Sequence, residues 1–163
     1  MKIYSFHYEK RKENSDKEII FAVRAYLCNE KLQISVMRDE YGKPHIIGDE
    51  NVFVSVTHAE NLLLVAVSEK EIGIDAERCD RHVRNFRSLS ERYFTREETD
   101  FLGDDFTKED FLDMWVKKEA LSKLLGGGVP CMKSMSVFDG RISFSKHSEY
   151  DGFIVYSVTF NKQ

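Results

Sequence analysis

Three carboxylates and one lysine stand out for their type and spacing. Asp75 and Glu77 lie in Ile72-Gly-Ile-Asp-Ala-Glu77, where Ile72, Ile74 and Ala76 alternate with Gly73, Asp75 and Glu77. That period of two predicts a strand with both acids on one side, ~7 Å apart at their Cα atoms. Glu119 lies in Trp115-Val-Lys-Lys-Glu-Ala-Leu-Ser-Lys123, a helical stretch in which Trp115, Glu119 and Lys123 fall on one stripe at i, i+4 and i+8. Two acids on a strand face, joined by a third from a helix, can hold a hard divalent cation. Magnesium takes oxygen ligands and shares its shell with substrate phosphates, so the chemistry in view is phosphoryl-group transfer. Each residue also has an ordinary reading: Glu119 and Lys123 as a stabilising surface pair, Lys118 likewise, and Trp115 as a core anchor.

The elements that must position these residues are legible as patterns. Lys2–Tyr8 reads as a strand, Lys17–Cys28 as an amphipathic helix and Gln33–Arg38 as a strand, followed by a turn at Tyr41–Pro44. Val52–Thr57, the apolar run Leu62–Val67 and Ile72–Glu77 read as three short strands of an antiparallel meander. The stretch from about Arg81 to Tyr93 reads as helix. Thr95-Arg-Glu-Glu98 has the form of a capping box, and Lys108–Leu125 is a helix closed by Gly126-Gly-Gly128 and Pro130. In the tail, Ser136–Phe144 turns at Asp139-Gly140 and Phe153–Phe160 closes as a strand. Helices and strands mix without strict alternation, so the class is α+β.

The chain has 163 residues, 42% hydrophobic and 32% charged, enough for one core or two small lobes sharing one. A net charge of −4 argues against general nucleic-acid binding. No apolar run is long enough to span a bilayer and the N-terminus lacks the apolar core of a signal peptide, so no membrane partner is expected. Cys28, Cys79 and Cys131 are widely spaced and read as reduced, buried thiols of a cytoplasmic protein. Arg78, Arg81, Arg84, Arg87, Arg92 and Arg96 crowd one short stretch, either a solvated helix face or a docking patch for an acidic partner. His58, at a strand end, is ordinarily exposed and polar; beside an anion it would be a phosphate ligand. Lys43, in a turn, has the same two readings.

Taken in order, Tyr41-Gly-Lys-Pro44, Ser55-Val-Thr-His58, Ile72-Gly-Ile-Asp-Ala-Glu77, Tyr93-Phe-Thr-Arg-Glu-Glu98 and Trp115–Gly128 resemble the 4′-phosphopantetheinyl transferases. The resemblance is to the longer, two-lobed group, because some 70 residues precede the aspartate motif. It implies two similar lobes, about 1–71 and about 72–163, each a helix packed on a small antiparallel sheet and related by a pseudo-twofold axis. It further implies transfer of 4′-phosphopantetheine from coenzyme A to a serine of an apo acyl, peptidyl or polyketide carrier protein.

On this resemblance Asp75, Glu77 and Glu119 are the Mg²⁺ ligands. Glu119, or a water on the metal, takes the serine proton, and Lys123 stabilises or protonates the leaving phosphate. Lys43, Thr57 and His58 hold the nucleotide together with Asp75 and Lys123, His58 being on the 3′-phosphate. Trp115, Lys118 and Glu98 support the site, and Arg78, Arg81 and Arg84 become the contact for an acidic carrier. Thr57 stands where the family has serine, and Ala76 where it has a larger aliphatic. The basic residues that grip the adenine and 3′-phosphate have no direct match; Lys12, Lys17 and Arg24 are the available substitutes. Two rivals remain: a non-catalytic relative that binds coenzyme A or a carrier protein, and an unrelated metal-dependent phosphohydrolase.

Overall fold

The computed structural model describes residues 1–7 and 15–161. Its described elements run β1 (Lys2–His7), α1 (Asp16–Tyr26), β2 (Ser35–Arg38), β3 (Pro44–Ile47), β4 (Phe53–Ala59), β5 (Leu62–Ser68), β6 (Ile72–Arg78), α2 (Phe86–Tyr93), α3 (Arg96–Leu102), α4 (Lys108–Leu125), β7 (Ile142–Lys146) and β8 (Phe153–Phe160). The class is α+β with small antiparallel sheets. One sheet has the order β1-β5-β4, a second β6-β8-β7, and β2 with β3 forms a separate ribbon.

The apolar patterning stacks these parts in layers. Leu63, Val65 and Val67 of β5 pack with Ile19, Ala22 and Val23 of α1, while Leu64 and Ala66 point the other way, into a cluster with Ile72, Ile74, Ala76 and Val155 of the second sheet. The far face of that sheet carries Val158 and Ile142, which meet Leu112, Leu121 and Leu124 of α4. The order is therefore helix, sheet, sheet, helix, and both β5 and β6 are covered on two faces. Continuous apolar runs suit such strands.

Several expectations need correction. No three-strand meander forms: β5 pairs with β4 on one edge and with β1 on the other, so no edge is left for β6, which pairs with β8 instead. Pro44–Ile47 is a strand rather than the tail of a turn, pairing with β2 in the register Arg38↔Pro44. Residues 81–85 are not helical; α2 begins at Phe86, where Phe86, Leu89 and Tyr93 first supply apolar anchors at helical spacing. Ser136–Phe138 forms no strand because the Val137 N–H donates to the Glu98 carboxylate at 2.7 Å. The thiols are not buried either: Cys28 and Cys79 are exposed and Cys131 half-buried, all three free. Cys28 follows α1 in a left-handed conformation and Cys79 follows β6, both outside the packed layers.

Other expectations hold. Thr95 and Glu98 form the reciprocal capping box, and α4 spans Lys108–Leu125 with Gly126 as its left-handed C-cap. Glycine carries no Cβ penalty at that φ of 74°. Among the described residues no helix is long and apolar enough to cross a membrane.

Candidate functional site

The second sheet and α4 meet at β6. Gly73, Asp75 and Glu77 face the helix, and a Cβ added to Gly73 would lie 1.9 Å from the Ala120 carbonyl oxygen. The missing side chain lets the helix backbone press directly on the strand. This close approach brings the Glu119–Lys123 stripe of α4 over the acids of β6. Carboxylate oxygens of Asp75, Glu77 and Glu119 all lie within 4.8 Å of one another.

Asp75 is buried, and its Oδ1 accepts from Thr57 Oγ1 at 2.9 Å and from Lys123 Nζ at 2.7 Å. Its Oδ2 is buried and has no hydrogen-bond partner. A buried carboxylate oxygen left unpaired is costly, and either a divalent cation or a proton on the neighbouring Glu119 would satisfy it. Three oxygen donors of this kind suit a hard cation, so the residues present fit magnesium. Glu119 is pushed up to about 8, first by burial and then by the negative charge of Asp75, with Lys123 opposing. Glu77 is also raised, chiefly by burial, while the Arg81 guanidinium that pairs with it pulls the other way. Three acids held this close favour either a retained proton or a cation between them.

Thr57 is more than a neighbour of the acid. While donating to Asp75 it accepts from the Ala76 N–H at 3.3 Å, and Ser55 Oγ accepts from the Ile74 N–H at 3.1 Å. These hydroxyls of β4 satisfy the free edge of β6 and join the two sheets beside the site. Sequence reasoning placed Thr57 at the nucleotide; the structure places it on the aspartate.

A cavity of about 180 Å³ opens beside Lys123 and is lined by Lys43, Ser55, His58, Gly126 and Gly128, among others. Lys43 is no solvated turn residue: its Nζ donates to the Leu124 carbonyl at the C-terminus of α4, at 2.9 Å. Two expected substitutes do not reach this cavity. Lys17 and Arg24 line a different depression on α1, and Arg24 Nε donates to the Leu32 carbonyl. Lys12 lies outside the described residues. Sequence reasoning missed Ser15 and Arg38, and gave no role to the motif residues Tyr41 and Ser122; all four line the cavity. No local motif marks Arg38; only its position opposite Pro44 brings it there.

The supporting residues form a buried polar hub. Lys118 Nζ donates to Glu98 Oε1 at 3.0 Å and to the Met135 carbonyl at 2.8 Å, and Glu98 also accepts from the backbone N–H groups of Thr95 and Val137. Burial pushes the Lys118 ammonium down, with Glu98 opposing. Trp115 stacks on Phe111 with ring centroids 5.5 Å apart, anchoring the start of the stripe in the core. These residues set the rotation and depth of α4 rather than touching the cavity. Of the arginines, Arg78 pairs with Asp80 and Glu60, Arg81 pairs with Glu77, and Arg84 is exposed. A second, polar crevice is lined by His58, Glu60, Glu77, Arg78 and Arg81.

A strand and a helix thus converge three acids and a lysine, with a cavity lined by Arg38, Lys43 and Lys123 alongside. The model of the 4′-phosphopantetheinyl transferase superfamily matches residues 71–156, more than half of the chain, and the chain belongs to that family. Among curated relatives, the 4′-phosphopantetheinyl transferase ffp of Bacillus subtilis is 30% identical over 120 residues, covering 69% of this chain and 52% of the relative. The 4′-phosphopantetheinyl transferase gsp of Aneurinibacillus migulanus is 26% identical over 95 residues, covering 56% of this chain and 38% of the relative. The chain thus spans about half or less of the length of the curated relatives it matches.

Proposed function

We propose that this protein transfers 4′-phosphopantetheine from coenzyme A to a serine of an apo acyl, peptidyl or polyketide carrier protein, with magnesium as cofactor. The observation that carries this reading is the convergence of Asp75, Glu77 and Glu119 within 4.8 Å, beside a cavity whose lining among the described residues includes Arg38, Lys43, His58 and Lys123. Such a pairing suits a ligand with a metal-chelating pyrophosphate and further negative charge. Phosphoryl transfer needs little covalent help from the protein; positioning and charge neutralisation dominate.

Asp75, Glu77 and Glu119 would hold the magnesium ion, which when bound neutralises charge on the pyrophosphate as its phosphoanhydride bond breaks. Glu119 would take the proton of the carrier serine. Lys123, anchored by Asp75, is placed to stabilise the departing phosphate. His58 and Lys43 bind the nucleotide end. Thr57 orients Asp75. Trp115, Lys118 and Glu98 support α4.

The serine reaches the acids from the crevice beside Glu77, which Arg78 and Arg81 line, and these two with the exposed Arg84 meet an acidic carrier. Because Arg81 pairs with Glu77, Arg84 is the cleaner probe of docking. We further infer two lobes, about 1–71 and about 72–163, related by an approximate twofold axis, and a cytoplasmic location, in keeping with three free thiols.

The test is to incubate the protein with coenzyme A, magnesium and apo carrier proteins and to weigh the carrier. A gain of one phosphopantetheine supports transfer. Tight coenzyme A binding without any gain, across several carriers, would instead support a non-catalytic relative. Asp75→Ala and Glu119→Ala should each abolish the gain; full activity in either removes the metal assignment.

A further inference from the structure

Arg81 joins one of the three acids to the polar crevice. Its Nη1 donates to Glu77 Oε1, and both side chains line that crevice. The two ends of the pair differ in freedom. Glu77 is fixed in the β6–β8 ladder opposite Ile154, and its side chain is 18% exposed. The Arg81 side chain is 46% exposed and hangs from residues 81–85, which form neither helix nor strand. Arg78, by contrast, is engaged by Asp80 and Glu60, neither of them one of the three acids.

Three carboxylates within 4.8 Å repel one another, and two of them hold a cation of the protein's own: Asp75 has Lys123 and Glu77 has Arg81. Each such cation opposes a metal ion at the same oxygens. Lys123 gains the pyrophosphate as a new partner when the donor binds. Arg81, on the crevice, gains one from an acidic carrier. A guanidinium stays charged at any working pH, so it leaves Glu77 by finding another anion, not by losing a proton.

We propose that Arg81 couples carrier docking to metal binding: it guards Glu77 until an acidic group of the carrier draws its guanidinium away, and magnesium then binds more tightly. The inference rests on the transfer reading above. By linkage, magnesium must tighten the carrier by the same factor. Were Arg81 instead a strut that orients Glu77 for the metal, its removal would act with the opposite sign.

Calorimetric titration of the full chain with magnesium tests the sign, with coenzyme A left out so that no transfer occurs. Arg81→Gln should tighten magnesium about fivefold. Arg84→Gln removes the same charge from an exposed residue and should stay within about twofold of wild type. A saturating apo carrier protein, chosen because the transfer assay modifies it, should tighten magnesium about fivefold in the wild-type protein and hardly at all in Arg81→Gln. Unchanged or weaker magnesium binding in Arg81→Gln overturns the proposal. So does a carrier that tightens magnesium equally in both proteins, or that has no effect on the wild type. Failure of the underlying reading looks different: no carrier gains mass with coenzyme A present, or magnesium binds neither protein, and the coupling falls with it.

Discussion

Gly73→Ala offers the sharpest perturbation, because a single methyl group tests how the site is assembled. The added Cβ would sit 1.9 Å from the Ala120 carbonyl oxygen and 2.7 Å from the Leu124 N–H nitrogen, both backbone atoms of α4. A carbon normally approaches a carbonyl oxygen no closer than about 3.3 Å, so helix and strand must separate by roughly 1.4 Å. No side-chain rotation can relieve the clash. Overpacking of this kind costs about 3 kcal/mol, the upper end of the usual range, which lowers Tm by about 6–12 °C for a chain of this size. The same displacement carries Glu119 and Lys123 away from Asp75. Their contact, now 2.7 Å between Lys123 Nζ and Asp75 Oδ1, would stretch beyond hydrogen-bonding reach.

Misplacement by about 1 Å can cost a hundredfold in rate, so phosphopantetheine transfer should fall by about that factor or more at a temperature where the variant remains folded. Gly140→Ala is the matched control, since a Cβ there meets nothing within 4 Å. It should stay within about 0.5 kcal/mol of wild type. Thermal melts combined with carrier-mass kinetics give both readouts. A Gly73→Ala protein within about 2 °C of the wild-type Tm, or one destabilised as expected yet transferring at the wild-type rate, would refute the reasoning.

Three further outcomes follow from the same geometry. Lys118→Met strands the buried Glu98 carboxylate without its cation and should cost about 3–5 kcal/mol, with part of the loss recovered in Lys118→Met/Glu98→Gln; denaturant melts of the full cycle check this. Thr57→Val removes the donor to Asp75 and the acceptor for Ala76 N–H, costing about 1–3 kcal/mol by chemical denaturation, whereas Thr57→Ser should stay close to wild type. Glu119, pushed up to about 8, holds a proton that an incoming cation must displace, so magnesium affinity measured by calorimetry should rise about tenfold per pH unit below that value and then level off. In the metal-free protein the folded state keeps this proton where the unfolded chain releases it above the ordinary 4.5, so stability should fall as pH climbs from there to about 8. A flat wild-type affinity profile would contradict the assignment.

Much of the site was legible because its residues sit on strongly periodic elements. The alternation in Ile72–Glu77 put Asp75 and Glu77 on one face, and the i, i+4 spacing put Glu119 and Lys123 on one stripe; both patterns depend only on local geometry. What periodicity could not disclose was the partner of each face. Lys123 reads on the helix as a mate for Glu119, yet it donates to Asp75, 48 residues away in sequence. Lys43 reads as solvated, yet it caps a helix 81 residues on. Arg38 carries no signal at all, because its place depends on pairing β2 with a strand, β3, that the turn at Tyr41–Pro44 concealed.

The failed meander points to a deeper reason why the site lies where it does. Had β6 joined β5, its edge N–H groups would have been spent on a ladder. Because β1 already occupies that edge of β5, β6 runs in the other sheet and turns its free edge toward β4. Buried N–H groups there must find acceptors, and Ser55 and Thr57 supply hydroxyls instead of a third row of carbonyls. A hydroxyl can accept and donate at once, which a backbone carbonyl cannot. Thr57 uses that capacity to pass a hydrogen bond from the seam between the sheets into Asp75. The hydroxyl before His58 is therefore required by the way the two sheets meet, before any ligand enters. An aliphatic residue there would open the seam and take one of its two hydrogen bonds from Asp75 Oδ1 in one step.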